Sequence, residues 1–555
     1  MRTVLLVFLL VHCCLCLNAQ QQKKPAFTLH GTAALSFGVF SQENYSGNQP
    51  GFFWSLNGNP VLGVFGHPAP VSLMISSQQR SVSTPFSQFG VSPTIKWAKF
   101  HAGVRSLHFS PFSVAGHTFL GGAVEINPGA FRFAVLGGRF QKAREADTTS
   151  VFRLRPQYRR MGYGFKIGVG KTRSYFDLIF FKAKDDSTSL GAVPTIYRNL
   201  TPDENAVLGI ATRLALGKKV YVQVDGGASL YTRDIRSALR SETNDDPDFN
   251  RFASALSGII PIRNTTSLTF AGEAALRYQS RQFQLALAYR RVEPEYASMG
   301  AWFFQTDIQQ FTLTPGFKFK KGRVRIQLNA GVQNDNLLKL KPATSQRFIS
   351  GVNLSLNPTD RFGIDMQANN FQFTQENRYL ESDSLRLQQS TLFMNVAPHW
   401  SIQKGDNAHS IHGSLTYQVS DDYNPYTRQN LNSNFAFAQI TWNRQQSKKG
   451  QNTGIGLNAR INKNGTAADD QSIGLLANAG KSLLKNKLRV QLNANYNLIF
   501  SKSNPPGNSY GGGLGVSFKT TKSTRIYSNG YFLSNQTAQR KYKYLSISGG
   551  FEYTF

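Results

Sequence analysis

The stretch GFKFKKGRVRIQL, Gly316 to Leu328, keeps a strict period of two. Phe317, Phe319, Val324, Ile326 and Leu328 fall on one side of the pattern, and Lys318, Arg323, Arg325 and Gln327 on the other. Lys321-Gly322 occupies the place of a two-residue hairpin turn, glycine being at ease at positive φ. Folding there sets Phe319 opposite Val324, Lys318 opposite Arg325 and Phe317 opposite Ile326, so one face is apolar and the other cationic and hydrated. VEINPGAFRF is a second case: with Pro128-Gly129 as the turn, Ile126 meets Phe131 on the apolar face and Glu125 meets Arg132 on the polar one. LRYQSRQFQL is a third, with Ser280-Arg281 as the turn, Tyr278 against Phe283 and Leu276 against Leu285. Such runs recur along almost the whole chain and predict about 26 strands, the first near 26–40, the second near 50–66 and the last near 543–555.

The links between these runs alternate in length. Those at 170–174, 217–219, 321–322, 357–360 and 485–487 are short, and between them come longer ones such as 141–157, 184–204, 232–264, 374–385 and 421–430. Short turns at one end and long loops at the other mark an all-β fold, a transmembrane antiparallel up-and-down β-barrel of about 24 to 26 strands without a separate plug domain. The turns are then periplasmic, the loops extracellular, and an even strand count puts both chain ends in the periplasm. Most Asp and Glu fall in the predicted extracellular loops, leaving walls and turns basic. Trp54 and Trp302 come near the upper strand ends and Trp97, Trp400 and Trp442 near the lower ones, as an interfacial girdle requires.

Net charge +31 would suit nucleic acid, but cations alternating with apolar residues argue against that partner. Aromatics at 12%, with 42 Phe, 21 Tyr and 48 Gly, favour strands. After the N-terminus no run approaches the roughly 20 apolar residues of a membrane helix. Residues 1–19 read as a secretory signal: Arg2, an apolar core from Val4 to Leu17, and a small-residue cleavage site at Leu17-Asn18-Ala19. Cys13, Cys14 and Cys16 all lie within it, so the mature protein would have neither disulfides nor thiolate metal sites. A short periplasmic segment, 20–25, would precede the barrel at 26–555.

The last strand, YLSISGGFEYTF, alternates Leu545, Ile547, Gly549, Phe551, Tyr553 and Phe555 and stops on the aromatic. It resembles the signal by which the barrel-assembly machinery recognises outer-membrane proteins, which implies that machinery as a partner during biogenesis and assigns the signal to Phe551, Tyr553 and Phe555. The chain as a whole is similar to large plugless outer-membrane barrels of the Bacteroidetes group. This implies an integral protein of a Gram-negative outer membrane, surrounded by its lipid. TonB-dependent transporters and the lipopolysaccharide translocon carry a further domain ahead of their barrels, whereas here the first strand begins by about Phe27.

Chemistry-bearing motifs are weak. His108 and His117 flank FSPFSVAG with Ser110 and Ser113, but a nucleophile needs an adjacent base and an orienting third group. His409 and His412, three apart on a strand, point to opposite faces, a poor metal site. GVGKT at Gly168 to Thr172 lacks the upstream glycine and following helix of a phosphate loop, and reads as a turn. No catalytic residue, cofactor or metal site is expected, and no enzyme. The alternation puts Arg132, Arg213, Arg277, Arg290, Lys318, Arg325 and Arg489 on the luminal face, where they are either hydrated and paired or attract anions. About 26 strands, roughly 4.8 Å apart and tilted about 40°, enclose a barrel around 50 Å across, which something must obstruct. The expected constriction is the longest link, Thr232 to Asn264, with Glu242, Asp245, Asp246 and Asp248 lowered against the basic wall and ALSGIIPI packing; the alternative is a loop standing in solvent that bridges surface glycolipids through divalent cations. The expected role is a channel or conduit for hydrophilic solutes of anionic or oligosaccharide type. The alternative is an accessory or structural barrel of a secretion, assembly or surface-attachment complex, working with periplasmic or outer-membrane partner proteins.

Overall fold

The computed structural model describes residues 26–43, 51–77, 88–146, 155–191, 193–240, 258–302, 305–377, 379, 386–464, 469–502, 504–537 and 541–555. Of 29 strands, 26 form one closed antiparallel barrel. The other three are short: Phe27–His30 and Val61–Val64 make a small sheet with the first residues of His67–Ser76, and Thr94–Ile95 is a stub on Ala98–His108. Closure joins the first wall strand, Thr32–Gln42, to the last, Lys541–Thr554, from Thr32 opposite Thr554 to Gln42 opposite Tyr544. No free sheet edge remains there, which is the condition for placing strands in lipid. No separate plug domain occurs among the described residues.

The strand count agrees with the alternation, while several boundaries differ from it: the run expected near 92–97 is replaced in the wall by Gln88–Val91. The first run breaks at Gly31 (φ 124), so Phe27–His30 leaves the wall. The run near 50–66 divides at Asn59-Pro60, because proline cannot donate to the ladder.

Register shows how far the alternation reaches. The hairpin at Lys321-Gly322 pairs Phe319 with Val324, Lys318 with Arg325 and Phe317 with Ile326. The other two hairpins are each displaced by two residues: Glu125 faces Ala134 rather than Arg132, and Tyr278 faces Leu285 rather than Phe283. Their turns are wider than two residues, closed by Phe131 N–H to Pro128 O (3.1 Å) and by Ser280 N–H to Phe283 O (2.8 Å). A shift of two preserves every facing, whereas a shift of one would have exchanged the faces.

Ten hairpin links at one end of the barrel, from 127–130 to 520–523, have two to five residues; the other end carries longer ones such as 187–203, 233–265 and 293–307. One face of the wall is apolar around its circumference, as in the cross-strand row Val124, Val135, Phe165, Phe180, Leu208, Ala228 and Phe270, or Leu415, Ala438, Ala459, Ile473 and Leu498. These exposed rows are the outer surface, and the intervening residues line the lumen.

Candidate functional site

The lumen is not uniform. Among the described residues the buried apolar side chains run from Ala69 to Ile308 and then stop. The reason is a pair of links that turn inward. Link 109–114 places Phe112 and Val114, both 0% exposed, over the luminal face, and link 293–307 lays Tyr296 and Met299 beside them. Phe112 packs with luminal Ala271, Val292 and Ile308, while Val114 and Met299 join Leu136, Phe140, Phe181 and Val207. Polar contacts pin the pair. The Tyr296 hydroxyl donates to Phe112 O (2.6 Å) and Ala115 N–H to Gly300 O (3.0 Å). Two wall residues complete the anchor: Asn205 Oδ1 accepts Met299 N–H (3.0 Å), and Ser229 Oγ donates to Ala297 O (2.6 Å). Trp302, expected at an outer interface, instead stacks on His117 (5.1 Å) and donates its indole N–H to Gly116 O (2.9 Å).

Glu242, Asp245, Asp246 and Asp248 lie outside the described residues. The apolar end of their link is described from residue 258, and it packs on the outer surface rather than in the lumen. Ile260, fully buried, joins outward-facing Ala206 and Leu230, and Lys182 Nζ donates to Ile259 O (2.6 Å) while pairing with Glu204 (3.2 Å). In the two inward links Phe109, Phe112 and Val114, and Tyr296 and Met299, are too apolar to stand in water.

The seven basic candidates lie on the luminal register in different company. Arg132 makes a two-pronged pair with Asp177, not Glu125: Nε to Oδ1 2.7 Å and Nη2 to Oδ2 2.8 Å, with Asp177 almost fully buried and the guanidinium 4.4 Å from the Tyr175 ring centre. Glu125 accepts from His101 instead (2.8 Å). Arg290 lies 3.9 Å from Glu273, which faces it across the ladder. Arg213 donates to Gln223 (3.2 Å), which donates to Asp225 (2.9 Å). Arg277, Lys318, Arg325 and Arg489 make no ion pair among the described residues. Lys318 and Arg325 line a depression of about 360 Å³ with Gln327, Asn353, Asp365 and Asn395. Arg489 lines another of about 380 Å³, beside Arg525, which pairs with Glu552.

Beyond Ile308 the luminal wall carries rows of carboxamides and glycines between cations such as Lys318, Arg325 and Arg489. One cross-strand row reads Asn443, Gly454, Asn478, Asn493, Gly513 and Tyr531; another reads Gln439, Asn458, Gly474, Asn497, Ser509 and Asn535. A Cβ at Gly454 would collide with the carboxamide oxygens of Asn443 and Asn478, so the glycine lets both side chains lie flat on the wall. Gln439, Asn443, Asn478, Asn493, Asn495 and Tyr531 surround a depression of about 410 Å³. These groups are uncharged, and each carboxamide both donates and accepts.

The residues weighed for catalysis are structural in their contacts. Ser110 and Ser113 are buried and bonded to each other (2.8 Å), and His117 Nδ1–H donates to Thr118 O (2.8 Å). His409 lies outward, 5.8 Å from Trp442, while His412 is luminal and opposite His399. Gly168 to Lys171 end a strand, Arg159–Lys171, at the turn 172–173. At the chain end Phe551 and Tyr553 face outward, Tyr553 is 5.0 Å from the Phe555 ring, and Phe555 N–H donates to Gly31 O (2.9 Å).

No protein-family model matches the chain, and no curated protein matches it. Among solved structures the chain is similar to the P pilus usher (PapC) translocation pore, at 10% identity over 95% of this chain and 99% of that one, TM-score 0.38. It is also similar to OccAB4 of Acinetobacter baumannii (9% identity, 69% and 98% covered, TM-score 0.29) and to OpdK of Pseudomonas aeruginosa with vanillate (10%, 64% and 94%, TM-score 0.29). Likenesses this distant carry no functional argument, and the barrel assignment rests on the closed ladder itself.

Proposed function

We propose that the protein is an integral barrel of a Gram-negative outer membrane, of the Bacteroidetes type, conducting hydrophilic polyhydroxylated solutes of oligosaccharide class. The observation that carries this reading is the carboxamide-lined arc beyond Ile308, which the inward links leave uncovered. Carboxamides exchange hydrogen bonds with sugar hydroxyls in either sense and hold no fixed charge to trap them, while Tyr531 adds an aromatic edge. An anion path is the second reading: Arg132 and Arg290 face their own carboxylates, whereas Arg277, Lys318, Arg325 and Arg489 make no ion pair among the described residues. The turns are periplasmic in this reading, and Phe551, Tyr553 and Phe555 serve the barrel-assembly machinery.

The test is liposome swelling and planar-bilayer recording with the purified chain. Neutral oligosaccharides should enter faster than anionic ones of equal size, and Gly454→Val, which displaces Asn443 and Asn478, should slow them severalfold while ion conductance changes little. Absence of any conductance step would favour the accessory barrel, a reading supported by the inward links.

A further inference from the structure

Lysines recur at the short-turn end of the barrel. In five hairpins the last outward apolar residue is followed two positions later by a lysine: Val169 by Lys171, Leu216 by Lys218, Phe319 by Lys321, Ile402 by Lys404 and Leu483 by Lys485. All five lysines are exposed and lie at the short-turn end, and none makes an ion pair among the described residues. The acids in the ten short links are Asp360 and Asp406, already engaged by Arg323 (3.1 Å) and Lys448 (3.0 Å). Lys171 and Lys404 close their strands, where two residues of tilted strand span about 5 Å along the barrel axis, and Lys218, Lys321 and Lys485 lie in the turns just beyond, so all five ammoniums sit past the apolar band. Outward Trp400 marks the same boundary, two residues before Ile402.

We propose that this rim binds the headgroups of anionic phospholipids. The depth is that of the phosphate layer just outside the hydrocarbon, and a lysine there gains both charge attraction and room for its stem along the apolar wall. The five hairpins reach from Lys171 to Lys485, around much of the circumference, all at the short-turn end. A leaflet meets a ring at constant depth on every side, whereas a docked acidic protein would call for a cluster on one side. The inference rests on the membrane reading above but not on conduction.

The experiment uses the full mature chain refolded into phosphatidylcholine vesicles with and without phosphatidylglycerol, with heat-modifiable gel migration reporting the folded barrel. Lipid retained after mild detergent extraction is then weighed by mass spectrometry. The wild type should retain phosphatidylglycerol over phosphatidylcholine by on the order of tenfold relative to the bulk mixture, less at high salt. Lys171→Gln, Lys218→Gln, Lys321→Gln, Lys404→Gln and Lys485→Gln together should abolish most of that preference, and the five Lys→Arg changes should keep it. Folded wild type holding lipid in bulk proportion, or a folded Gln variant with unchanged preference, overturns the proposal. So does bulk-proportion lipid with binding of polyglutamate, which would assign the rim to an acidic protein. A chain that folds only without vesicles sinks the membrane reading as well.

Discussion

Single residues in the wall show what burial demands of charge. Asp177 is 1% exposed with both oxygens committed to Arg132, so Asp177→Asn leaves a half-buried guanidinium without its anion. Breaking such a pair costs about 3 kcal/mol, and denaturant unfolding in detergent should report a loss of that order. Asp203, in the link before Glu204–Ala215, is held at about 6 by burial, only partly offset by the Tyr231 hydroxyl that donates to it (2.6 Å), with Asp185 raising it further and Arg160 lowering it. The folded state therefore keeps a proton that the unfolded chain has released. This contribution is complete below the ordinary carboxylate range and is lost as pH rises through about 6. Thermal midpoints should fall from pH 5 to pH 8 in the wild type, and Asp203→Asn should flatten that part of the profile; equal slopes would refute the assignment.

Among the elements, the links carry what the strands did not announce. Strand number and the facing of each wall residue follow from the period-two pattern. Pairing at Glu125 and Tyr278 was off by two, because turn width depends on bonds such as Ser280 to Phe283 that no alternation encodes. The inward links were harder to read: Ser110, Ser113 and His117 drew attention as chemistry, while the informative residues were Phe112, Tyr296 and Met299, whose burial needs partners distant in sequence. Asn205→Ala removes the acceptor for Met299 N–H and loosens link 293–307 from the wall. Single-channel recordings should show higher, noisier conductance; an unchanged trace would mean that this link does not set the aperture.

At the scale of the whole molecule, the two ends differ and can be told apart on cells. A short epitope inserted after Asn430, in the link 423–432, should be reached by antibody on intact cells, and one after Gly322 only after permeabilisation. Labelling at Gly322 alone would invert the barrel.

The inward links also give the ring unequal stiffness. From Ala98–His108 to Ile308–Phe319 the wall is backed by packed side chains, whereas beyond it the described residues form a single layer of hydrogen-bonded backbone, and the closing seam falls in that thin part. A hoop reinforced over part of its perimeter does not widen evenly under load: the reinforced side keeps its curvature and the bare side bows. Spin-label distances across the bare side should accordingly be broader than those across the reinforced one. A load on the barrel should then change its aperture through the bare side, with the inward links as a buttress.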